Sequence, residues 1–215
     1  MDKVKKYGLW FFQSFIWLGL LLFIIDIVTK NVVVNNMAVY ESIPLIKGFL
    51  HITYTVNTKA AFGLGTTSDL ANRIVYIVLA TVASAVLIFV YVKFYKKLGK
   101  MYKACMMMML VGALGNLVDR VFYTPEYLGY TAVGVVDWID FCGIWPYIFN
   151  WADSCIVVGT IMLIIWLIIE EVQENKKNNA VVLKKDVVEA KIQAQKLEEK
   201  KEEASLDKKE ENPSK

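Results

Sequence analysis

The 215-residue sequence has one histidine, His51, and three cysteines, Cys105, Cys142 and Cys155. A Ser-His-Asp or Cys-His nucleophile would have to use His51, so Ser154 and Cys155 have no other imidazole to activate them. There is no His-Glu-x-x-His, no Cys-x-x-Cys and no other dense run of ligands, which argues against a zinc hydrolase. Three cysteines cannot all pair with one another, so no disulfide framework is implied. Charge is scarce over most of the chain: 22 of the 45 Lys, Arg, Asp and Glu residues fall in Glu171–Lys215, leaving 13 basic and 10 acidic groups in the first 170 residues. A net charge of +3 is too small to suggest nucleic-acid binding. Hydrophobic residues make up 56% of the chain, above the roughly 45–50% of soluble domains. Their concentration ahead of the charged tail points to a membrane protein.

Four apolar stretches are long enough to cross a bilayer: Gly8–Val28, Leu70–Val92, Met101–Phe122 and Trp145–Ile169. A crossing needs ~20 residues, from ~30 Å of hydrocarbon at a rise of ~1.5 Å per residue. The first stretch follows Lys3, Lys5 and Lys6 as a signal-peptide core would, but it is too long for one and no small-x-small site follows it. It reads as a retained helix. Lys93, Lys96, Lys97, Lys100 and Lys103 mark the connection between the second and third stretches, and the tail is Lys-rich. The positive-inside bias therefore puts both termini in the cytoplasm and the segments around 30–69 and 120–146 outside. Trp138, Trp145 and Trp151 suit an interfacial belt, and Met106–Met109 reads as packing within a helix.

Within the first outer segment, Leu50, Ile52, Tyr54 and Val56 alternate with His51, Thr53, Thr55 and Asn57. This is the period of a strand with one apolar face. Gly63 and Gly65 then suggest a turn. The expected architecture is a four-helix membrane bundle over residues 1–170, with a small extracytoplasmic β-sheet drawn from about 31–67. A charged cytoplasmic tail follows over 171–215, partly helical in its pattern and without evident chemistry.

Ionisable groups in or beside spans are costly and generally face protein or water. Here they gather at one depth, the outer leaflet: Asp26, Asn116, Asp119, Arg120, Asn150 and Asp153 near span ends, with Asp137 and Asp140 just before the last span. Asn116, Asp119 and Arg120 share a helix face at i, i+3 and i+4, as do Asn150 and Asp153 at i and i+3. Asp119 beside Arg120 reads first as an ion pair at a helix end. Gly112 and Gly115 keep the third span thin enough for another helix to approach. With nucleophile and metal chemistry disfavoured, carboxylates remain. Two that share one proton can activate a water and polarise a carbonyl.

These residues resemble a known family, lipoprotein signal peptidase (signal peptidase II), a bacterial membrane aspartyl protease. Asp26-Ile-Val-Thr29-Lys30 matches the family's Asp-x-x-Thr-Lys. Asn57-Thr-Lys-Ala60-Ala61-Phe62-Gly63 is similar to its Asn-x-Gly-Ala-Ala-Phe. Gly112-Ala-Leu-Gly115-Asn116-Leu-Val-Asp119-Arg120, Val135-Val136-Asp137-Trp138 and Phe149-Asn150-Trp151-Ala152-Asp153-Ser154 follow in family order. The resemblance implies that Asp137 and Asp153 form the catalytic dyad. It implies that Asp26, Asn57, Asn116, Asp119, Arg120 and Asn150 support the site or contact substrate. It also implies hydrolysis of diacylglyceryl-modified prolipoproteins just before the lipidated cysteine, in the bacterial cell membrane, with no metal or cofactor and with inhibition by globomycin-type peptides. Two departures stand out: Lys59 replaces the usual Gly, and 16 residues, 121–136, separate Arg120 from Asp137.

Two other classes compete on the residues alone. An ion or proton-coupled transporter would use intramembrane acids as a path, but the middle of the second span offers only Thr81 and Ser84. A structural scaffold would not need acids clustered at one depth. Asp140 is the rival to Asp137, three residues on, and reads as a polar loop acid.

Overall fold

The computed structural model describes residues 2–59, 68–123, 126–127, 130–131 and 134–210. The chain divides into two units, Met1–Ile164 and Ile165–Lys215. Among the described residues, four helices are long and apolar enough to cross a membrane: Ile16–Asn36, Leu70–Phe94, Lys100–Phe122 and Trp151–Val181. Their apolar side chains are widely exposed, among them Ile24, Val28, Ile74, Val78 and Phe89. Lipid is the solvent that makes such exposure favourable.

The first crossing lies further along the chain than hydropathy alone suggests. Helix α1 covers Asp2–Ser14 and α2 covers Ile16–Asn36, separated by Phe15 at φ 57°. Ser14, fully buried, holds the break by donating to the Phe11 carbonyl at 2.7 Å and accepting from the Ile16 amide at 3.3 Å. At 13 residues, α1 spans only ~20 Å, short of the ~30 Å of hydrocarbon. Apolar residues on both sides of Phe15 make the two helices look like one stretch. At its far end α2 continues through polar residues, because Asn31, Asn35 and Asn36 each donate to the carbonyl four residues back, at 2.7–2.8 Å.

Strands β1 (Ser42–Ile46) and β2 (Leu50–Asn57) follow, then helices α3 (Asp69–Phe94) and α4 (Lys100–Phe122). Next come the short β3 (Glu126–Tyr127) and β4 (Tyr130–Thr131), β5 (Val135–Asp140) and helix α5 (Trp151–Glu210). The α3–α4 connection, with its lysines, is at the opposite end of the bundle from the sheet, since the strands all lie in the α2–α3 and α4–α5 connections. In the second unit the helix persists to Glu210, and Trp166 Nε1 donates to Glu170 Oε1 at 2.8 Å.

The main sheet has the order β1-β2-β5, antiparallel throughout. Sequence alternation anticipates β2; the turn expected at Gly63 and Gly65 lies outside the described residues. Ile52, Tyr54 and Val56 join Val136 and Val33 in an apolar cluster that seats the sheet on the end of α2. Gly134 opens β5 where a Cβ would fall 2.5 Å from the Asn57 carbonyl oxygen, so only glycine lets the two strands meet there. Trp138 and Ile139 both donate to the Phe149 carbonyl, at 3.0 and 2.7 Å, and the Phe149 amide donates back to Ile139 at 3.1 Å. These bonds fold the 141–149 loop onto the sheet and deliver Asn150 and the start of α5 beside β5.

Candidate active site

Asn150 caps helix α5. Its side-chain oxygen accepts from the Asp153 amide at 2.9 Å, and an Asp153 carboxylate oxygen accepts from the Asn150 amide at 3.3 Å. This reciprocal capping box satisfies amides that the first helical turn leaves unpaired. Asp26, fully buried on α2, serves the next one: its Oδ1 accepts from the Ala152 amide at 2.9 Å. The partial positive charge of a helix N-terminus favours both carboxylates.

The Asn150 amide nitrogen then bridges two elements. It donates to Asp137 Oδ1 on β5 at 2.7 Å and to Asn116 Oδ1 on α4 at 3.0 Å. The other Asp137 oxygen accepts from Asn57 Nδ2 of β2 at 3.0 Å. Asn116 Nδ2 donates to Asp153 Oδ1 at 2.7 Å. Asp137 and Asp153 are thus held by one amide cluster, Asn57, Asn116 and Asn150, drawn from β2, α4 and the cap of α5. Burial, followed by the negative charge of Asp153, holds the Asp137 carboxyl well above the ordinary carboxylate range.

Behind the pair lies a charged core. Lys30 Nζ stands 2.9 Å from Asp26 Oδ2, 3.0 Å from Asp119 Oδ2 and 3.3 Å from Asn116 Oδ1, almost fully out of solvent. Asp119 Oδ2 also accepts from the Val136 amide at 3.0 Å, tying α4 to β5 next to Asp137. The close approach of α2, α4 and α5 requires a bare backbone at Gly115, where a Cβ would meet Asp26 Oδ2 at 2.5 Å.

Every candidate from the sequence except the rival acid Asp140 lies in or against this assembly, with two changes of partner. Asp119 pairs with Lys30, not with its neighbour Arg120. Arg120 donates to the Asn116 and Lys59 carbonyls at 3.1 and 3.4 Å, and its guanidinium lies 5.3 Å from the Tyr76 ring. Asp140 is elsewhere: its Oδ2 accepts from Thr53 Oγ1 at 2.7 Å. A register shift between Ile52 and Thr55 of β2 separates its pairing with His51 from that of Asp137 with Thr55.

Sequence reasoning named Lys30 only as part of the Asp-x-x-Thr-Lys motif, without a role, and passed over Arg73. The i, i+4 spacing of Asp26 and Lys30 was the available signal for the first. Arg73 donates to the Arg120 and Val121 carbonyls at 2.7 and 2.9 Å, satisfying the open end of α4; nothing local in the sequence marks it. An apolar cavity of about 700 Å³, lined by Gly19, Phe23, Tyr91, Met107 and Leu114 among others, contains none of the acids. The acids lie in the polar cluster, apart from this apolar cavity.

Residues 18–169 match the family model described as signal peptidase (SPase) II. The chain belongs to the signal peptidase II family. A lipoprotein signal peptidase of Fusobacterium nucleatum is 36% identical over 152 residues, covering 70% of this chain and 84% of the relative. Another, from Halothermothrix orenii, is 39% identical over 149 residues, covering 69% and 90%. Two solved structures of bacterial membrane enzymes align with TM-scores of 0.61 and 0.58 at 28% and 29% identity. They cover 73% and 71% of this chain and 88% and 90% of theirs. The signal peptidase II assignment makes this a multi-pass membrane peptidase and leaves the transporter reading without support.

Proposed function

We propose that the protein is an aspartic endopeptidase that uses Asp137 and Asp153 to release the signal peptide of diacylglyceryl-modified prolipoproteins, cutting just before the lipidated cysteine. The observation that carries this reading is the placement of two carboxyls, Asp137 buried and Asp153 partly buried, on one shared amide cluster. A water held between the pair gives a proton to the ionised carboxylate as it attacks the scissile carbonyl. The protonated carboxyl polarises that carbonyl and later supplies the proton to the leaving amine. The raised affinity of Asp137 for its proton keeps the pair singly protonated near neutral pH. Asn57, Asn116 and Asn150 fix the carboxyl planes, while Asp26, Asp119 and Lys30 hold the elements that carry them. Arg120, bonded to the Asn116 and Lys59 carbonyls beside the pair, would meet the substrate backbone. The three amides and the two acids are also the polar surface that a globomycin-type peptide would engage.

Purified protein in detergent should cleave a lipid-modified precursor with chelator present, and omitting the diacylglyceryl group should cost most of the rate. Remote binding energy aligns the reacting bond, so its loss appears in turnover as well as affinity. Equal turnover of lipidated and unlipidated precursors would overturn the substrate assignment.

The Lys-rich α3–α4 connection supports a bacterial cytoplasmic-membrane orientation with both termini inside and the carboxyl pair near the outer leaflet. In a background lacking the native cysteines, Lys97→Cys in intact cells should resist an impermeant thiol reagent and Ile144→Cys should react. The reverse pattern would invert the topology.

A further inference from the structure

A second cluster of chemistry-bearing side chains lies at the other end of the β2–β5 ladder. Antiparallel register sets His51 directly opposite Asp140, and Cys142 follows two residues later. A ring nitrogen of His51, a carboxylate oxygen of Asp140 and Cys142 Sγ all lie within 4.8 Å of one another, and all three residues are partly buried. None of them contributes to the carboxyl-pair network, and no motif in the linear sequence joins them.

The hydrogen bonds around this cluster set its donor character. Thr53 Oγ1 donates to Asp140 Oδ2 at 2.7 Å, which uses the only threonine hydroxyl proton. The 2.8 Å contact between Ser42 Oγ and Thr53 Oγ1 must then be donated by Ser42. Ser42 Oγ is left to accept, so its 3.2 Å contact with His51 is donated by Nδ1–H. In the neutral ring, the form that binds metal, the relay fixes the tautomer and leaves a bare lone pair on Nε2. That atom is buried and has no hydrogen-bond partner among the described residues. A buried acceptor without a donor costs free energy, and a cation relieves that cost. Metal-bound histidines commonly donate their other ring N–H to an oxygen that fixes the ring, as Ser42 does here.

We propose that His51, Asp140 and Cys142 form a divalent transition-metal site of the zinc class, which clasps β2 to β5. The imidazole, carboxylate and thiolate set suits zinc, with a fourth position for water. Bonds of about 2.0–2.3 Å imply ligand spacings of about 3.5 Å in a tetrahedron, so atoms already within 4.8 Å of one another draw in by at most about 1.3 Å on binding. Binding breaks the Cys142 S–H bond, forms a metal–sulfur bond and releases the proton to solvent. The same strands carry Asn57 and Asp137, so the clasp stiffens the support of the carboxyl pair without taking part in its chemistry.

The test is titration of untagged, metal-stripped full-length protein in detergent with Zn²⁺ and, as a spectroscopic probe, Co²⁺. One equivalent should bind per chain, release about one proton and raise the unfolding temperature. The cobalt complex should show a thiolate charge-transfer band that Cys142→Ser abolishes. His51→Ala, Asp140→Asn and Cys142→Ser should each weaken binding by about 10–100-fold or more, and Thr53→Val, which removes only the supporting hydroxyl, by about tenfold. Asp137→Asn should leave binding unchanged. Absence of stoichiometric binding by the native chain would overturn the site. So would binding that survives the three ligand substitutions or is lost with Asp137→Asn.

Discussion

Asp137→Asn and Asp153→Asn are each expected to reduce turnover of a lipidated precursor by about 10³-fold or more, within or above the range of general acid–base contributions. The double variant should be scarcely worse than either single one, because groups acting as a unit are not additive. Both substitutions keep the shape of the side chain, and the Asn57, Asn116 and Asn150 amides that surround the pair can still find one oxygen acceptor on each. The variants should therefore insert in the membrane and purify as folded protein. Asp140→Asn, assayed with chelator present, is the control that should keep substantial activity, since Asp140 bonds to Thr53 away from the cluster. Normal rates in both single variants would remove the aspartic mechanism, and a dead Asp140→Asn beside an active Asp137→Asn would reassign the dyad.

The pH dependence follows from the same pair. The proposed mechanism requires one proton on two carboxyls, so activity should fall in acid, when both are protonated, and in alkali, when the shared proton leaves. The alkaline limb should lie above the ordinary carboxylate range, because burial and the Asp153 charge raise the Asp137 pKa. The stability effect has a definite sign. Above the unfolded value of about 3.9 the folded chain holds a proton that the unfolded chain has lost, so this group's contribution to stability declines as pH rises through its folded pKa. Asp137→Asn should flatten that decline in an unfolding series while abolishing turnover.

Some of this was legible in the sequence, for physical reasons that particular residues make plain. Alternation through Leu50–Asn57 exposed β2 because one of its faces meets apolar Val33 and Val136 while the other carries polar side chains. The i, i+3, i+4 spacing gathered Asn116, Asp119 and Arg120 on one face of α4. The choice of Asp119 partner was not legible, since ion pairing between helices depends on which cation burial brings close, and Lys30 reaches from α2. The break at Phe15 was hidden by apolar residues on both sides. Strand β5 was obscured because Asp137 and Asp140 interrupt a run of otherwise strand-like residues. Assigning the dyad to Asp137 and Asp153, rather than to any other pair of acids, rested on the order of motifs. The metal-ligand cluster required strand register, because His51 and Asp140 meet only across the ladder.

Lys30→Met is expected to cost about 3–5 kcal/mol of stability, the usual consequence of removing one partner of a buried ion pair. One ammonium serves two carboxylates here, at 2.9 and 3.0 Å, so its loss leaves Asp26 and Asp119 buried without a cation. Both carboxylates also hold backbone amides that position the site, Ala152 at the start of α5 and Val136 beside Asp137. They cannot turn away to water without releasing those amides. The expected phenotype is a large fall in unfolding temperature in detergent together with loss of turnover. Removing the charges together separates the two effects. In the triple variant Lys30→Met, Asp26→Asn, Asp119→Asn no charge remains to be buried unpaired, and each Asn oxygen can still accept from its backbone amide. Most of the lost stability should return, since replacing a buried ionic group by neutral residues is often near neutral. Catalysis should recover with it if Lys30 acts only by holding α2, α4 and α5 together. Restored stability with turnover still absent would instead show that the positive charge itself, transmitted through Asn116 to Asp153, is needed to keep the carboxyl pair ionised once. If the single Lys30→Met variant were as stable and active as the native chain, the charged core would have no structural role.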